Sequence, residues 1–192
     1  LTVVGPVVWY VKNNAPSAGN GTSAAPYQLL SAAITASAAG HTIYVMEGDG
    51  TATNYGGTDA MKANQKLWGQ GIDLDVVATN GVALPDLILA TSRPLIGPGV
   101  GPALGTVTLG NGVTGVEVRG LRINGGTLNA VDVTTTGVGS AGLIFSNNIV
   151  TAAALEGVDV NAGGTGTVTL DINDNTFTST GNSLDITRTA GS

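Results

Sequence analysis

An all-β solenoid of about five stacked coils is the fold class this sequence predicts, and two observations predict it. The first is a repeat. The segments Val116-Glu117-Val118-Arg119-Gly120-Leu121-Arg122-Ile123, Leu143-Ile144-Phe145-Ser146-Asn147-Asn148-Ile149-Val150 and Leu170-Asp171-Ile172-Asn173-Asp174-Asn175-Thr176-Phe177 align without a gap, at steps of 143 − 116 = 27 and 170 − 143 = 27 residues. A second motif keeps step with it: Val131-Asp132-Val133, Val158-Asp159-Val160 and Leu184-Asp185-Ile186, at 158 − 131 = 27 and 184 − 158 = 26. Self-similarity at a short fixed period marks units that bury their apolar faces only by stacking on their neighbours. The second observation is composition. Of 192 residues, 30 are glycine, 42% are hydrophobic and only 10% are charged. That is too apolar for a disordered chain and suits many short strands joined by tight turns.

The elements follow in order. Residues 7–11 read as a first strand, and the loop 13–26 is rich in Gly, Ser, Ala and Asn. Over residues 27–38, Leu30, Ala33, Ile34 and Ser37 share one helical face, with Pro26 near the start and Gly40 past the end. This predicts a helix of about three turns. Residues 42–46 form a strand with Ile43 and Val45 on one side. A glycine-rich loop leads to Leu67-Trp68-Gly69-Gln70-Gly71, which resumes extended structure. Residues 72–86 show no clean period and read as an excursion, and 87–89, 95–96 and 107–109 read as strands of an irregular coil. Regular coils begin at Val116, each with three strands, in the first coil 116–119, 121–124 and 131–134. The whole chain is one domain: a cap over 1–41, irregular coils over 42–115 and regular coils over 116–192.

Alternation along each strand assigns the faces. Val116, Val118, Ile123, Val131 and Val133 point inward, while Glu117, Arg119, Arg122 and Asp132 point outward. One repeat later Leu143, Phe145, Val150, Val158 and Val160 take the inward places, then Leu170, Ile172, Phe177, Leu184 and Ile186. Stacking makes columns of like residues, such as Val118–Phe145–Ile172 and Ile123–Val150–Phe177, with rungs about 4.8 Å apart. Asn148 and Asn175 recur at a bend, after Asn147 and Asp174. Asparagine tolerates left-handed backbone and bonds nearby peptide groups, so these two are expected to form a structural amide ladder. Ile144 and Ile149 point outward by the same alternation and mark a contact face, or lie under a loop.

Charge narrows the function classes. The formal net charge is −6 with seven Lys and Arg in all, so no basic stripe is available for nucleic acid. No apolar run approaches the roughly 18 residues of a membrane helix, and membrane insertion is not expected. There is no cysteine, and His41 is the sole histidine. This removes thiolate chemistry and any histidine cluster for a metal, and it leaves His41 as a turn residue beside Gly40. The chain starts at Leu1 and reads as part of a longer protein. Asp132, Asp159 and Asp185 recur once per coil at an outward position and would form a ladder of carboxylates about 5 Å apart. Such a ladder can bind Ca2+, hold sugar hydroxyls, cleave glycosidic bonds as a carboxylate pair, or serve as a solvated polar face that resists lateral aggregation. The solvated face is the preferred reading. No catalytic or metal-ligating residue is assigned, and no cofactor is expected apart from Ca2+ at these aspartates.

Three stretches resemble the right-handed parallel β-helix superfamily of pectate lyases and related proteins. They are an entry segment (Tyr10-Val11-Lys12, Gly19-Asn20-Gly21-Thr22, Ala25-Pro26-Tyr27, Leu30, Ala33, Gly40-His41-Thr42-Ile43-Tyr44-Val45), the strand Leu67-Trp68-Gly69-Gln70-Gly71, and the coil pair Phe145-Ser146-Asn147-Asn148-Ile149-Val150 and Ile172-Asn173-Asp174-Asn175-Thr176-Phe177. The resemblance implies a right-handed, single-stranded parallel β-helix with an N-terminal strand and short α-helical cap. It also implies either a bacterial surface or adhesin-like protein or a secreted polysaccharide enzyme. A lyase of this kind would set calcium-binding aspartates beside an arginine or lysine base, whereas Arg93, Arg119, Arg122 and Arg188 are scattered. The expected function is therefore a non-enzymatic structural or adhesive module, extracellular or on a bacterial cell surface, with weak binding of a glycan or polysaccharide as an option. Two alternatives stay open: a polysaccharide lyase or glycoside hydrolase working beside the aspartate ladder, and a filament scaffold that associates end to end.

Overall fold

The computed structural model describes residues 6–56, 59–78, 80–97, 107–127, 129–151, 153–178 and 181–189. In chain order the elements are β1 (Val8–Val11), α1 (Leu30–Ala36), β2 (Thr42–Val45), β3 (Asp59–Ala60), β4 (Lys66–Gly69), β5 (Val76–Val77), β6 (Ala83–Leu84), β7 (Leu95–Ile96), β8 (Val107–Leu109) and β9 (Val116–Arg119). The regular coils continue with β10 (Arg122–Asn124), β11 (Val131–Thr135), β12 (Ala141–Ser146), β13 (Ile149–Thr151), β14 (Val158–Gly163), β15 (Val168–Asn173), β16 (Thr176–Thr178) and β17 (Leu184–Thr189). They build a parallel β-solenoid of about five turns with three long sheets, in the orders β1-β2-β4-β9-β12-β15, β7-β10-β13-β16 and β3-β8-β11-β14-β17. Every pairing within these three sheets is parallel.

The register is the one the repeat demands. Phe145 pairs with Val118 on one side and Ile172 on the other. Val150 stands between Ile123 and Phe177. The inward residues of the first two regular coils are buried, and Val116, Val118, Ile123, Val131, Val133, Phe145 and Val150 are wholly so. The third coil is less covered: Leu170, Ile172 and Phe177 are half-buried, and Leu184 and Ile186 are 43% and 57% exposed. Their side chains have the inward place in the pattern but no further rung beyond them among the described residues.

The bend between the first and second strands of each coil divides two tasks between adjacent residues. Gly120, Asn147 and Asp174 hold left-handed backbone, at φ of 69°, 60° and 54°, which glycine, asparagine and aspartate tolerate best. The residue after each one turns inward. Asn148 Oδ1 accepts the Leu121 N–H at 3.1 Å, and its Nδ2 donates to the Val118 carbonyl at 2.9 Å. Asn175 Oδ1 accepts from Asn148 N and Nδ2 at 2.9 and 3.2 Å, and Asn175 Nδ2 donates to the Phe145 carbonyl at 2.7 Å. The corner would otherwise leave buried peptide groups without partners.

The N-terminal cap differs from the predicted one. The helix begins at Leu30, not near residue 27, and spans only seven residues. Tyr27 is taken by the sheet: its N–H donates to the Tyr10 carbonyl at 2.9 Å, and its own carbonyl accepts the Lys12 N–H at 2.8 Å. The helix ends where Lys62 Nζ reaches the Ile34 and Ser37 carbonyls, a cation at the negative end of the helix. Residues 87–89 form no strand, because their backbone serves the excursion: Leu74 N–H donates to Ile88 O and Leu87 N–H to Leu74 O. Within the excursion β5 and β6 pair antiparallel. It lies over the first sheet, so β2, whose Ile43 and Val45 face the core, is buried at all four residues. Tyr44, outward by alternation, is fully buried and its hydroxyl donates to the Ile72 carbonyl at 3.2 Å.

Two substitutions test this account by chemical denaturation. Phe145→Ala should cost about 3–5 kcal/mol, as for other fully buried aromatics. Asn148→Ala should cost about 1–3 kcal/mol or more, because the Leu121 N–H and Val118 carbonyl lose their partner inside the stack. A change under about 0.5 kcal/mol at Asn148, the range of ordinary surface substitutions, would show that the amide ladder does not hold the corner.

Candidate functional site

Two arrangements of polar side chains stand out, on different sheets. The first is the aspartate ladder. Asp132 pairs in register with Asp159, and Asp159 with Asp185, along β11, β14 and β17. The rungs are thus one strand apart, as the repeat predicts. Their surroundings are not those of an open polar strip. Asp132 is only 5% exposed, and its Oδ1 accepts the Thr134 hydroxyl at 2.7 Å. Asp159 Oδ2 accepts two amides, from Asn129 at 3.0 Å and Asn161 at 2.8 Å. Asn129 is itself buried, and its Oδ1 accepts the Glu156 N–H at 3.0 Å. So β11 exposes less of its outward face at Asp132 than alternation alone implies. Desolvation, then the Asp132 carboxylate, pushes the Asp159 carboxyl above its usual range despite the two amides. Glu156 is raised likewise, first by desolvation and then by Asp159 and Asp185. Among the described residues no group of three or more His, Asp or Glu side chains is arranged to hold a metal ion.

The second arrangement was not anticipated from the sequence. On the outer face of the six-stranded sheet, under the edge of the excursion, Trp68, Ile72, Asp73, Asp75, Arg119, Ser146 and Asn147 line a hollow of about 270 Å3. Three strands bring it together, since Trp68 pairs with Arg119 and Arg119 with Ser146 in adjacent rungs. The excursion supplies the carboxylates and is held there by its own hydrogen bonds: Asp73 Oδ1 accepts the Ala90 N–H at 2.7 Å and Asp75 Oδ1 the Asp86 N–H at 2.8 Å. Arg93 clamps the far side, with Nε donating to the Asn147 carbonyl at 2.9 Å and Nη2 to Asn147 Oδ1 at 2.8 Å. Glu117 stands between two cations, 3.3 Å from Lys66 Nζ and 3.4 Å from Arg119 Nε. The Arg119 contact is an ion pair without the alignment of a hydrogen bond. Lys66 Nζ also lies 4.7 Å over the Trp68 ring. A second hollow, of about 310 Å3, shares Trp68 and Asp75 and extends toward Thr42 and Lys66.

The remaining candidates fall elsewhere. Ile144 and Ile149 are both half-buried, but on different sheets: Ile144 on β12 pairs with Glu117 and Asp171, and Ile149 on β13 with Arg122 and Thr176. The Asn147–Asn148 bend separates them, so they do not form one flat face. His41 is anchored to the cap, where its Nδ1 accepts the Trp9 indole N–H and the Ala38 N–H, each at 3.0 Å. Trp9 stacks on Tyr27, and Tyr10 meets Tyr44 edge-on. Trp9 and Tyr27 therefore pack the cap, while Tyr55 is buried in the core and Tyr44 lies beneath the excursion. No family model, curated protein or solved structure matches the chain.

The ladder predicts a pH dependence of known sign. A carboxyl whose pKa is raised by folding opposes the folded state above the folded pKa, and this cost disappears below the unfolded value of about 3.9. Asp159→Asn should therefore raise Tm at pH 7, and the gain over the parent should shrink to nothing as pH falls toward about 4. A variant less stable than the parent at pH 7 would mean that the charged form of Asp159 is held favourably.

Proposed function

We propose that this chain is a non-enzymatic structural or adhesive module of an extracellular or cell-surface protein, a stiff rod that displays side loops and binds glycan weakly. The observation that carries this reading is that Asp132 and Asp159, the two adjacent aspartates of the first regular coils, are already engaged by protein groups. A carboxylate pair that cleaves a glycosidic bond must reach the sugar with one acid and one base or nucleophile. Asp132 is buried under the Thr134 hydroxyl and Asp159 is engaged by two asparagines, all supplied by the protein itself. The reading needs no Ca2+. Kinship to the right-handed β-helix proteins of the pectate lyase superfamily belongs to the same proposal and is supported by the parallel stack and the Asn148–Asn175 ladder.

A second reading, self-association, has one observation in its favour: Leu184 and Ile186 are exposed on the last described rung. Sedimentation of the 192-residue chain over a wide concentration range decides this, with concentration-dependent association expected and a monomer at every concentration counting against it.

The leading reading is tested by incubation with a panel of acidic and neutral polysaccharides. No new reducing ends and no unsaturated products are expected. Cleavage that is abolished in both Asp132→Ala and Asp159→Ala would replace the module with an enzyme working at the ladder.

A further inference from the structure

We infer that the hollow beneath the excursion is a binding site for one unit of a neutral saccharide. This deepens the proposed glycan-binding module by naming a place and a ligand class. Two of the residues that line the hollow carry polar atoms without a protein partner. The Trp68 indole N–H is buried and has no acceptor among the described residues. Ser146 is only 7% exposed, and its hydroxyl, which makes no hydrogen bond among the described residues, keeps contact with solvent. A buried polar group is nearly always paired, and the Trp68 N–H, left open beside a cavity, calls for a ligand or water. Their neighbours supply further partners of both kinds. Asp73 and Asp75 each use one carboxylate oxygen to hold the excursion, so the second oxygen of each is left to accept. Asn147 commits its Oδ1 and carbonyl to Arg93, so its Nδ2 is left to donate.

Charge selects the ligand. Three carboxylates (Asp73, Asp75, Glu117) face three cations (Lys66, Arg93, Arg119) in and around the hollow. An anionic ligand would meet Asp73 and Asp75 beside it, and an amine would meet Arg119 and Lys66. Like charges brought together in this way disfavour binding. A neutral sugar ring avoids both penalties, because each hydroxyl donates to a carboxylate and accepts from an amide, indole or guanidinium. Trp68 offers its unpaired indole N–H to such a hydroxyl, while Lys66 Nζ lies over its ring. The volume of about 270 Å3 lies just below the roughly 300–1,000 Å3 of ordinary ligand pockets, which limits the site to a single unit of a chain.

The test is ligand-observed NMR and calorimetry on the full 192-residue chain. The probes are the methyl glycosides of glucose, galactose, mannose and N-acetylglucosamine, with galacturonic acid and glucosamine as charged counterparts. Saturable binding of at least one neutral glycoside is expected. It should weaken about tenfold in Asp75→Asn and in Ser146→Ala, the loss of about one hydrogen bond each, while both variants keep the parent circular dichroism spectrum and melt. The charged sugars should bind at least about tenfold more weakly. Absence of binding by all four neutral glycosides, tighter binding of a charged sugar, or binding untouched by either folded variant would overturn the assignment. Should a variant fail to fold, the same site is probed through Trp68 fluorescence in a Trp9→Phe background. The bound glycoside should shield Trp68 from an aqueous quencher, and quenching unchanged at saturating glycoside would overturn the assignment equally. Failure here with no polysaccharide cleavage would leave the module reading standing, whereas cleavage at the ladder would overturn that reading and not this site.

Discussion

Everything in this fold depends on in-register parallel stacking. One rung offers its neighbour a row of peptide groups on each of three sides and a set of apolar side chains inside. Neither is satisfied until the next rung lies on it at about 4.8 Å with the same residues in the same places. Phe145 illustrates both halves. Its backbone pairs with Val118 and Ile172, and its ring is fully buried with the Phe177 ring 6.3 Å away. A slip of one residue would turn every such side chain outward. The register is therefore the physical constraint, and the step changes only through the loops between strands: 143 − 116 = 27 residues from Val116 to Leu143, but 184 − 158 = 26 from Val158 to Leu184 and 131 − 107 = 24 from Val107 to Val131.

The corners make that constraint tolerable. A strand that bends sharply without a bulky loop must place one residue in left-handed backbone and then find partners for the peptide groups it frees. Asn147 and Asp174 take the first task, and Asn148 and Asn175 the second. On another turn of the coil glycine takes the left-handed place. Gly164 sits at φ 76°, where a Cβ would lie 2.0 Å from the Gly137 carbonyl of the rung before, so the stack itself excludes a side chain there.

The outside of the rod is where repetition gives way to individual features. The aspartate ladder follows the repeat, and its closeness has been offset by drawing Asn129, Asn161 and Thr134 onto the carboxylates. The hollow at Trp68 does the reverse. It mixes residues from several rungs with an excursion that has no counterpart among the other described residues. Recognition surfaces on solenoids arise in this way, from insertions laid over a regular scaffold, and the balance of charge around Asp73, Asp75 and Arg119 suits a ligand that is polar but uncharged.

Periodicity alone determined the solenoid, the partners of Val118, Phe145 and Ile172, the stacking of Asp132 on Asp159, and the role of Asn148 and Asn175, because a residue's neighbour in a stack is its counterpart one repeat away. Where the repeat stops, tertiary structure decided. Tyr27 left the predicted helix because the edge at Tyr10 and Lys12 needed a backbone partner. Tyr44 was buried by an excursion whose path no pattern encodes. Asp132 was buried although its position in the strand is outward, and Asp73 and Asp75 met Arg119 and Ser146 from a distant part of the chain. Such meetings depend on how one irregular segment folds back on a surface, and that is settled by packing and hydrogen bonding in three dimensions, not by spacing along the chain.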